Sequence, residues 1–279
     1  MYAALLNGQL ILAKLASGQQ GQFRCPRCQK QVILVASQQR SPFFKHVCLS
    51  TGQGEEQEHF MSKCLLKSAL TAAGLPARLE VPLAAGLIRA DVLASPKLAF
   101  EVQCAPLSQA EFAYRHACYQ EIKITDVWVV GQRHFLGKRL KSSQLIYVRK
   151  NTRWGAYYLE VRPNSHQLSL KYNIWQQPWQ NRLFYQQCLF SLDEFGLAKL
   201  WHFEPELVRP RLDPNRQRAF LAAQIRRKTK LGRDLAQFLY EHQLQLAEVT
   251  EQAFACWREP GREPPWNLLK ASVSHRKPD

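Results

Sequence analysis

Three acidic residues, Glu58, Asp91 and Glu101, stand where a solvated surface charge is not expected. Glu58 lies three and seven residues before Met61 and Leu65, in a segment (55–73) whose apolar residues recur at helical spacing. It therefore falls on the inward stripe. Asp91 and Glu101 sit in two strand-like runs, IRADVL and LAFEV, joined by the turn Ala94-Ser95-Pro96-Lys97. Ala99, Glu101 and Gln103 alternate onto one face of the second run, opposite Leu98, Phe100 and Val102. If the hairpin closes over Ser95 to Lys97, Asp91 lies across from Glu101, with Cβ atoms about 5 Å apart. Two such carboxylates repel, and a divalent cation between them removes the repulsion. The three acids make an oxygen-rich site suited to Mg²⁺ or Mn²⁺. The pairing depends on register, because a slip of one residue turns Asp91 to the other face.

A second chemical cluster stands near the N-terminus. Cys25-Pro26-Arg27-Cys28 is a CxxC pair after a short strand, and His46-Val47-Cys48 follows on another strand-like stretch. Alternation puts His46 and Cys48 on one side. Zn²⁺ takes four thiolate or imidazole ligands in a tetrahedron. Cys25, Cys28, His46 and Cys48 fit a small zinc ribbon whose closed coordination holds the fold and does no chemistry. His59 is the alternative to Cys48 as fourth ligand. A redox pair at Cys25 and Cys28 would need a thioredoxin-like βαβ setting, which the pattern lacks. The scattered cysteines, Cys64 and Cys104 among them, read as small core residues.

The elements that position these residues follow from the same patterns. Asn7-Gly8 marks a hairpin, and Gly21 to Arg24 and Gln31 to Ala36 are short strands. A polar link over 50–54 leads into the helix over 55–73, which Gly74 and Pro76 end. A strand over 77–81 precedes the hairpin. A helix over 108–121 and the buried strand ITDVWVV over 124–130 follow it. The order helix, strand, hairpin, helix, strand is an α/β unit with a mixed sheet.

With these residues in view, the chain resembles two things. The helix Glu, the Asp, and the Glu-x-Gln after a short hairpin resemble the PD-(D/E)XK restriction-endonuclease-like nuclease core. The N-terminal CPxC with FxH, then EHF, RADV and FEVQCAPLS, resemble the competence protein CoiA-like family over about residues 1–130. That family joins a zinc-finger-like region to a nuclease domain and is associated with DNA processing in natural transformation. The resemblance implies Glu58, Asp91, Glu101 and Gln103 as the nuclease signature, with Mg²⁺ or Mn²⁺ held by Asp91 and Glu101. Gln103 stands where most such nucleases carry Lys. Glutamine aligns water through its amide but brings no charge, so Lys63 or Lys67 on the helix is a candidate for the missing cation. His59 reads as packing or support.

Composition agrees with a polyanionic partner. The 279 residues carry 38 Lys+Arg against 22 Asp+Glu, a net charge of +16. Basic residues over 137–153, interleaved farther on with Trp and Tyr, suit single-stranded DNA, although a β-rich core explains the aromatics slightly better. Arg216, Arg218, Arg226, Arg227, Lys228, Lys230 and Arg233 would line a helix as a DNA-backbone-binding face. The tail after Arg258 is Pro-rich and reads as mobile.

The fold expected is α/β: a zinc-ribbon-like β module over 1–50, a nuclease-like mixed sheet over 51–150, and a largely helical C-terminal region over 151–279. Ser143 to Val148 reads as a further strand. There is no Walker sequence, no dinucleotide fingerprint and no run long enough to span a membrane. The start of the chain does not read as a secretory signal, so a cytoplasmic protein is expected. Two functions fit: a metal-dependent DNA nuclease on single-stranded or branched DNA, or a non-catalytic adaptor that assists a recombinase partner. RNA binding through the ribbon is a third and weaker option.

Overall fold

The computed structural model describes residues 3–16, 21–26, 29, 31–37, 40–46 and 53–274. The chain forms two compact units, 1–57 and 58–279. The first is one antiparallel sheet of β1 (Ala3–Leu6), β2 (Gln9–Leu12), β3 (Phe23–Arg24), β4 (Gln31–Ser37) and β5 (Arg40–His46), in the order β2-β1-β3-β4-β5. Its first hairpin turns on Asn7 and Gly8, both at positive φ (52° and 82°), the conformation that a two-residue hairpin turn needs. Ala4, Phe23, Cys25, Val32 and Phe44 form its core, with the two Phe rings 5.0 Å apart.

The second unit is built on an eight-stranded mixed sheet. In chain order its elements are α1 (Gln53–Ala72), β6 (Arg78–Leu83), β7 (Ile88–Ser95), β8 (Leu98–Gln103), α2 (Gln109–Glu121), β9 (Thr125–Val130), α3 (Ser142–Leu145), β10 (Arg149–Asn151), β11 (Gly155–Arg162), β12 (Gln167–Gln176), β13 (Leu183–Ser191), α4 (Glu194–Trp201), α5 (Pro214–Arg226), α6 (Lys230–Glu241), α7 (Gln252–Ala255) and α8 (Trp266–Ser274). The sheet order is β13-β12-β11-β9-β8-β7-β6, with β10 beside β11. β8, β9 and β11 run parallel, and the other pairs are antiparallel.

Central β9 is buried on both faces, which explains its unbroken apolar sequence. Leu66, Ala69 and Leu70 of α1 pack with Val92, Phe100, Val102 and Val129. On the other side, Phe112 of α2 packs with Trp128 and Val130, while Cys118 and Tyr119 pack with Ala90 and Ala99. Ser108 starts α2 by accepting the Glu111 amide on its hydroxyl at 3.1 Å.

Four expectations need correcting. The boundary at 150 falls inside the sheet: β11 pairs with β9 and carries β12 and β13 with it, so the nuclease-like unit does not end there. Residues 142–145 are helical and not a strand. Gln144 explains this, because its amide donates to Phe135 O at 2.9 Å and accepts the Lys141 amide at 3.0 Å. The basic stretch over 214–241 is two helices with a turn at Arg227 to Thr229. The segment after Arg258 is anchored: Trp266 stacks edge-on with Trp179 at 5.3 Å, and Leu269 is fully buried. Of the aromatic stretch, Tyr158, Tyr172, Trp179 and Phe190 are core residues, as the packing alternative holds.

Candidate active site

Asp91 and Glu101 meet on neighbouring antiparallel strands. β7 and β8 pair as Val92↔Phe100 and Leu93↔Ala99, the register that sets Asp91 across from Glu101. There the backbone ladder gives way to a side chain: Val102 N–H donates to Asp91 Oδ2 at 2.9 Å. Both carboxylates are nearly buried, Asp91 at 9% exposure and Glu101 at 1%. Burial and the charge of Asp91 push the Glu101 carboxyl up to about 8, against the opposing pull of Arg115 and Tyr119. Burial also raises Asp91, but the hydrogen bond and charge of His59, the Val102 amide and Lys63 outweigh it and hold Asp91 below the usual carboxylate range.

The two helices supply the surroundings. From α1, His59 Nε2 lies 3.2 Å from Asp91 Oδ2 and Lys63 Nζ lies 3.7 Å from Asp91 Oδ1. Lys63 also pairs with Glu80 of β6, which Arg89 Nε meets at 2.7 Å. From α2, Arg115 and Tyr119 each donate to one oxygen of Glu101. The inward face of α1 carries Ser62, Lys63, Leu66 and Leu70, while Phe60 is 62% exposed.

Glu58 and Gln103 are tied to a different part of the rim. Glu58 Oε1 accepts the Gln132 amide at 2.8 Å, just past β9. The approach depends on Gly131, because a Cβ there would lie 2.9 Å from Glu58 Oε1 and 2.6 Å from Cys104 Sγ. Gly131 N in turn donates to Gln103 O at 3.0 Å. The Gln103 amide donates to Ala105 O at 2.6 Å, and His134 Nε2 lies 2.9 Å from that oxygen. Thus Asp91 and Glu101 are brought together across β7 and β8, while Glu58 and Gln103 flank the turn at Gly131. Among the described residues, no three His, Cys, Asp or Glu side chains form a ready metal cage. Two hard carboxylates nonetheless suit Mg²⁺, which keeps several waters and takes its other ligands from substrate phosphate.

Sequence reasoning missed Arg115, Tyr119 and Glu80. Arg115 and Tyr119 are four apart on α2, so both reach Glu101 from one helical face. That i,i+4 spacing was the available signal. Glu80 carries no such signal, since its contact with Lys63 depends on β6 lying beside β7.

In the N-terminal unit, Cys25 is buried in the sheet core at 4% exposure. Cys28, Cys48 and the side chain of His46 lie outside the described residues. The backbone register pairs Arg24↔Gln31 and Val32↔His46. It sets the turn after β3 and the His46 end of β5 at the same end of β4.

The basic residues sort into two groups. Arg216, Arg226, Arg227, Lys228, Lys230 and Arg233 are exposed around α5, α6 and their turn. Arg218 is occupied: its guanidinium lies 4.8 Å from the Phe254 ring and donates to Asn215 Oδ1 at 3.1 Å. The turn is tight because Lys228 takes positive φ (50°) and Gly232 comes close to the Gln224 backbone, where a Cβ would meet Gln224 O at 2.0 Å. Thr229 Oγ caps α6 by accepting the Gly232 amide at 3.1 Å.

No helix among the described residues is long and apolar enough to cross a membrane. No curated protein and no solved structure matches the chain. A family model described as competence protein CoiA, nuclease-like domain, matches residues 55–205, more than half of the sequence and the whole of the eight-stranded sheet. The chain belongs to the family of competence protein CoiA nuclease-like domains.

Proposed function

We propose that this chain is a metal-dependent DNA nuclease acting in natural transformation. The observation that carries the reading is the pair of nearly buried carboxylates, Asp91 and Glu101, facing each other across β7 and β8 inside a nuclease-like domain. Burial and the charge of Asp91 raise Glu101 so that it keeps a proton, and a divalent cation between the two would take that proton's place. Asp91 and Glu101 would hold Mg²⁺ or Mn²⁺, which supplies Lewis-acid polarisation of a phosphate oxygen and a more acidic water. Glu58 orients the attacking water, and Gln103 aligns it through its amide. The exposed cations of the α5–α6 turn hold the DNA backbone. Structural zinc at Cys25, Cys28, His46 and Cys48 belongs to the same reading and rests on their spacing and on the shared end of β4.

The test is strand cleavage of single-stranded, duplex and branched DNA in Mg²⁺ or Mn²⁺. Chelation should abolish cleavage and leave DNA binding largely intact. A second reading, a non-catalytic DNA-binding adaptor for a recombinase, is favoured by one observation: the Gln103 amide is engaged by Ala105 O. In that reading no substrate is cut under any metal, while binding is tight and salt-sensitive.

A further inference from the structure

We propose that Lys63 supplies the positive charge of the nuclease site and that Glu80 is its positioning residue. The proposal rests on the nuclease reading and names the group that meets substrate charge within it. Lys63 is an ammonium on the inward face of α1, one helical turn after His59 and beside buried Leu66, with its side chain only 10% exposed. A buried ammonium is expensive, and an apolar side chain would serve packing better there. Its Nζ lies 3.7 Å from Asp91 Oδ1, on the carboxylate that faces Glu101. It also pairs with Glu80, whose other oxygen is held by Arg89 at 2.7 Å.

Glu80 lies between Leu79↔Val92 and Val81↔Ala90 in the β6–β7 ladder, which sets it beside Asp91. It takes a positive φ of 53°, an unfavourable backbone state for Glu in a strand. Glu80 thus holds the Lys63 ammonium at the edge of the carboxylate pair. An ammonium has three donors. Glu80 and Asp91 occupy two directions, and the third can meet a phosphate oxygen.

Phosphodiester hydrolysis gathers negative charge on the phosphoryl oxygens as water attacks and the P–O bond to the deoxyribose oxygen breaks. Gln103 cannot neutralise that charge, since it is uncharged and its amide donates to Ala105 O. Arg115 is spent on Glu101. Lys63 stands beside Asp91 with Glu80 and Asp91 in two of its three donor directions.

The experiment compares wild type, Lys63→Met, Lys63→Arg and Glu80→Gln for kcat and KM on single-stranded DNA in Mg²⁺. Calorimetry gives the Mg²⁺ affinity of each, and melting gives its fold. Lys63→Met should lose on the order of a hundredfold in kcat at unchanged KM. Its Mg²⁺ affinity should hold or tighten, because a repelling cation is gone. Lys63→Arg should keep part of the rate, and Glu80→Gln should lower kcat alone. A Lys63→Met enzyme within about twofold of wild type, or a loss matched by weakened Mg²⁺ binding, overturns the proposal and leaves the nuclease reading standing. If Lys63→Met does not fold, Glu80→Gln decides, and an unchanged kcat there overturns it. Absence of cleavage by wild type overturns the nuclease reading and the role of Lys63 together.

Discussion

The backbone amide of Val102 donates to Asp91 Oδ2 at 2.9 Å, so a side chain from one strand fills a ladder position of the next. This bond fixes the Asp91 carboxylate beside Glu101, the next residue back along β8. The strand pairing that builds the sheet thereby also builds the carboxylate pair. Replacing Asp91 by Asn keeps an acceptor for Val102 and removes the charge. Asp91→Asn should therefore fold, with a melting temperature closer to wild type than that of Asp91→Ala, and bind Mg²⁺ far more weakly. Thermal unfolding and calorimetry check the two halves separately.

Metal binding should depend on pH through Glu101. Its carboxyl is pushed up to about 8 by burial and by Asp91, so it holds a proton at neutral pH that a metal must displace. Mg²⁺ affinity should rise about tenfold per pH unit on approaching pH 8 and level off above it. The linkage to folding has the opposite sense. A carboxyl whose folded pKa lies above its ordinary value stabilises the fold fully below that ordinary value and loses the contribution as pH rises through about 8. Metal-free protein should therefore be less stable at pH 8.5 than at pH 6.5 so far as Glu101 is concerned. Calorimetric titrations and melting curves at these pH values check both signs.

Gly131 should be intolerant of a side chain. A Cβ there would lie 2.6 Å from Cys104 Sγ and 2.9 Å from Glu58 Oε1, so one of them must move. If Glu58 orients the attacking water, Gly131→Ala should cut kcat roughly tenfold to a hundredfold. DNA affinity should stay unchanged, and a cleavage assay with a parallel binding curve reads both.

A second buried pair stabilises the sheet away from the site. Glu160 is fully buried, and Lys171 Nζ donates to Glu160 Oε1 at 2.5 Å. The same oxygen accepts the Leu136 amide at 2.7 Å. Lys171→Met removes the ammonium from Glu160 and leaves only Arg162 Nη2, 3.6 Å from Oε2, as its cationic partner, which should cost about 3 kcal/mol in denaturant unfolding. The double variant with Glu160→Gln should recover much of that loss.

The α5–α6 turn should govern salt dependence and not chemistry. Replacing Arg226, Arg227 and Lys230 with Ala should weaken DNA binding uniformly across sequences and shallow the salt slope by about one for each lost phosphate contact. Arg218→Ala should instead lower stability, since that side chain is engaged with Phe254 and Asn215. Binding isotherms at several salt concentrations separate the two effects.

Local pattern made the hairpins at Asn7-Gly8 and Ser95 to Lys97, α1, α2 and β9 legible from residues alone. Their signals are turn chemistry, caps and periodicity within one segment. The pairing of Asp91 with Glu101 was legible for the same reason, because a short turn fixes the register of the strands it joins. The roles of Lys63, Glu80, Arg115 and Tyr119 depend on which elements become neighbours, and periodicity carries little of that. The extent of the sheet was obscured because β11 joins β9 across an intervening α3 and β10, a non-local pairing. The anchoring of 259–274 was hidden by proline content that reads as a mobile tail, although Trp266 and Leu269 pack into the α5–α6 core.

Asp91 and Glu101 are proposed as the metal-binding heart of a nuclease. The most direct measurement is cleavage of single-stranded, duplex and branched DNA in Mg²⁺ or Mn²⁺ by wild type, Asp91→Ala and Glu101→Ala, with DNA binding measured on the same preparations. The expected result is cleavage by wild type, its loss in both variants and binding retained in all three. Wild type that binds DNA tightly but cuts no substrate, or variants that cut as fast as wild type, would contradict it.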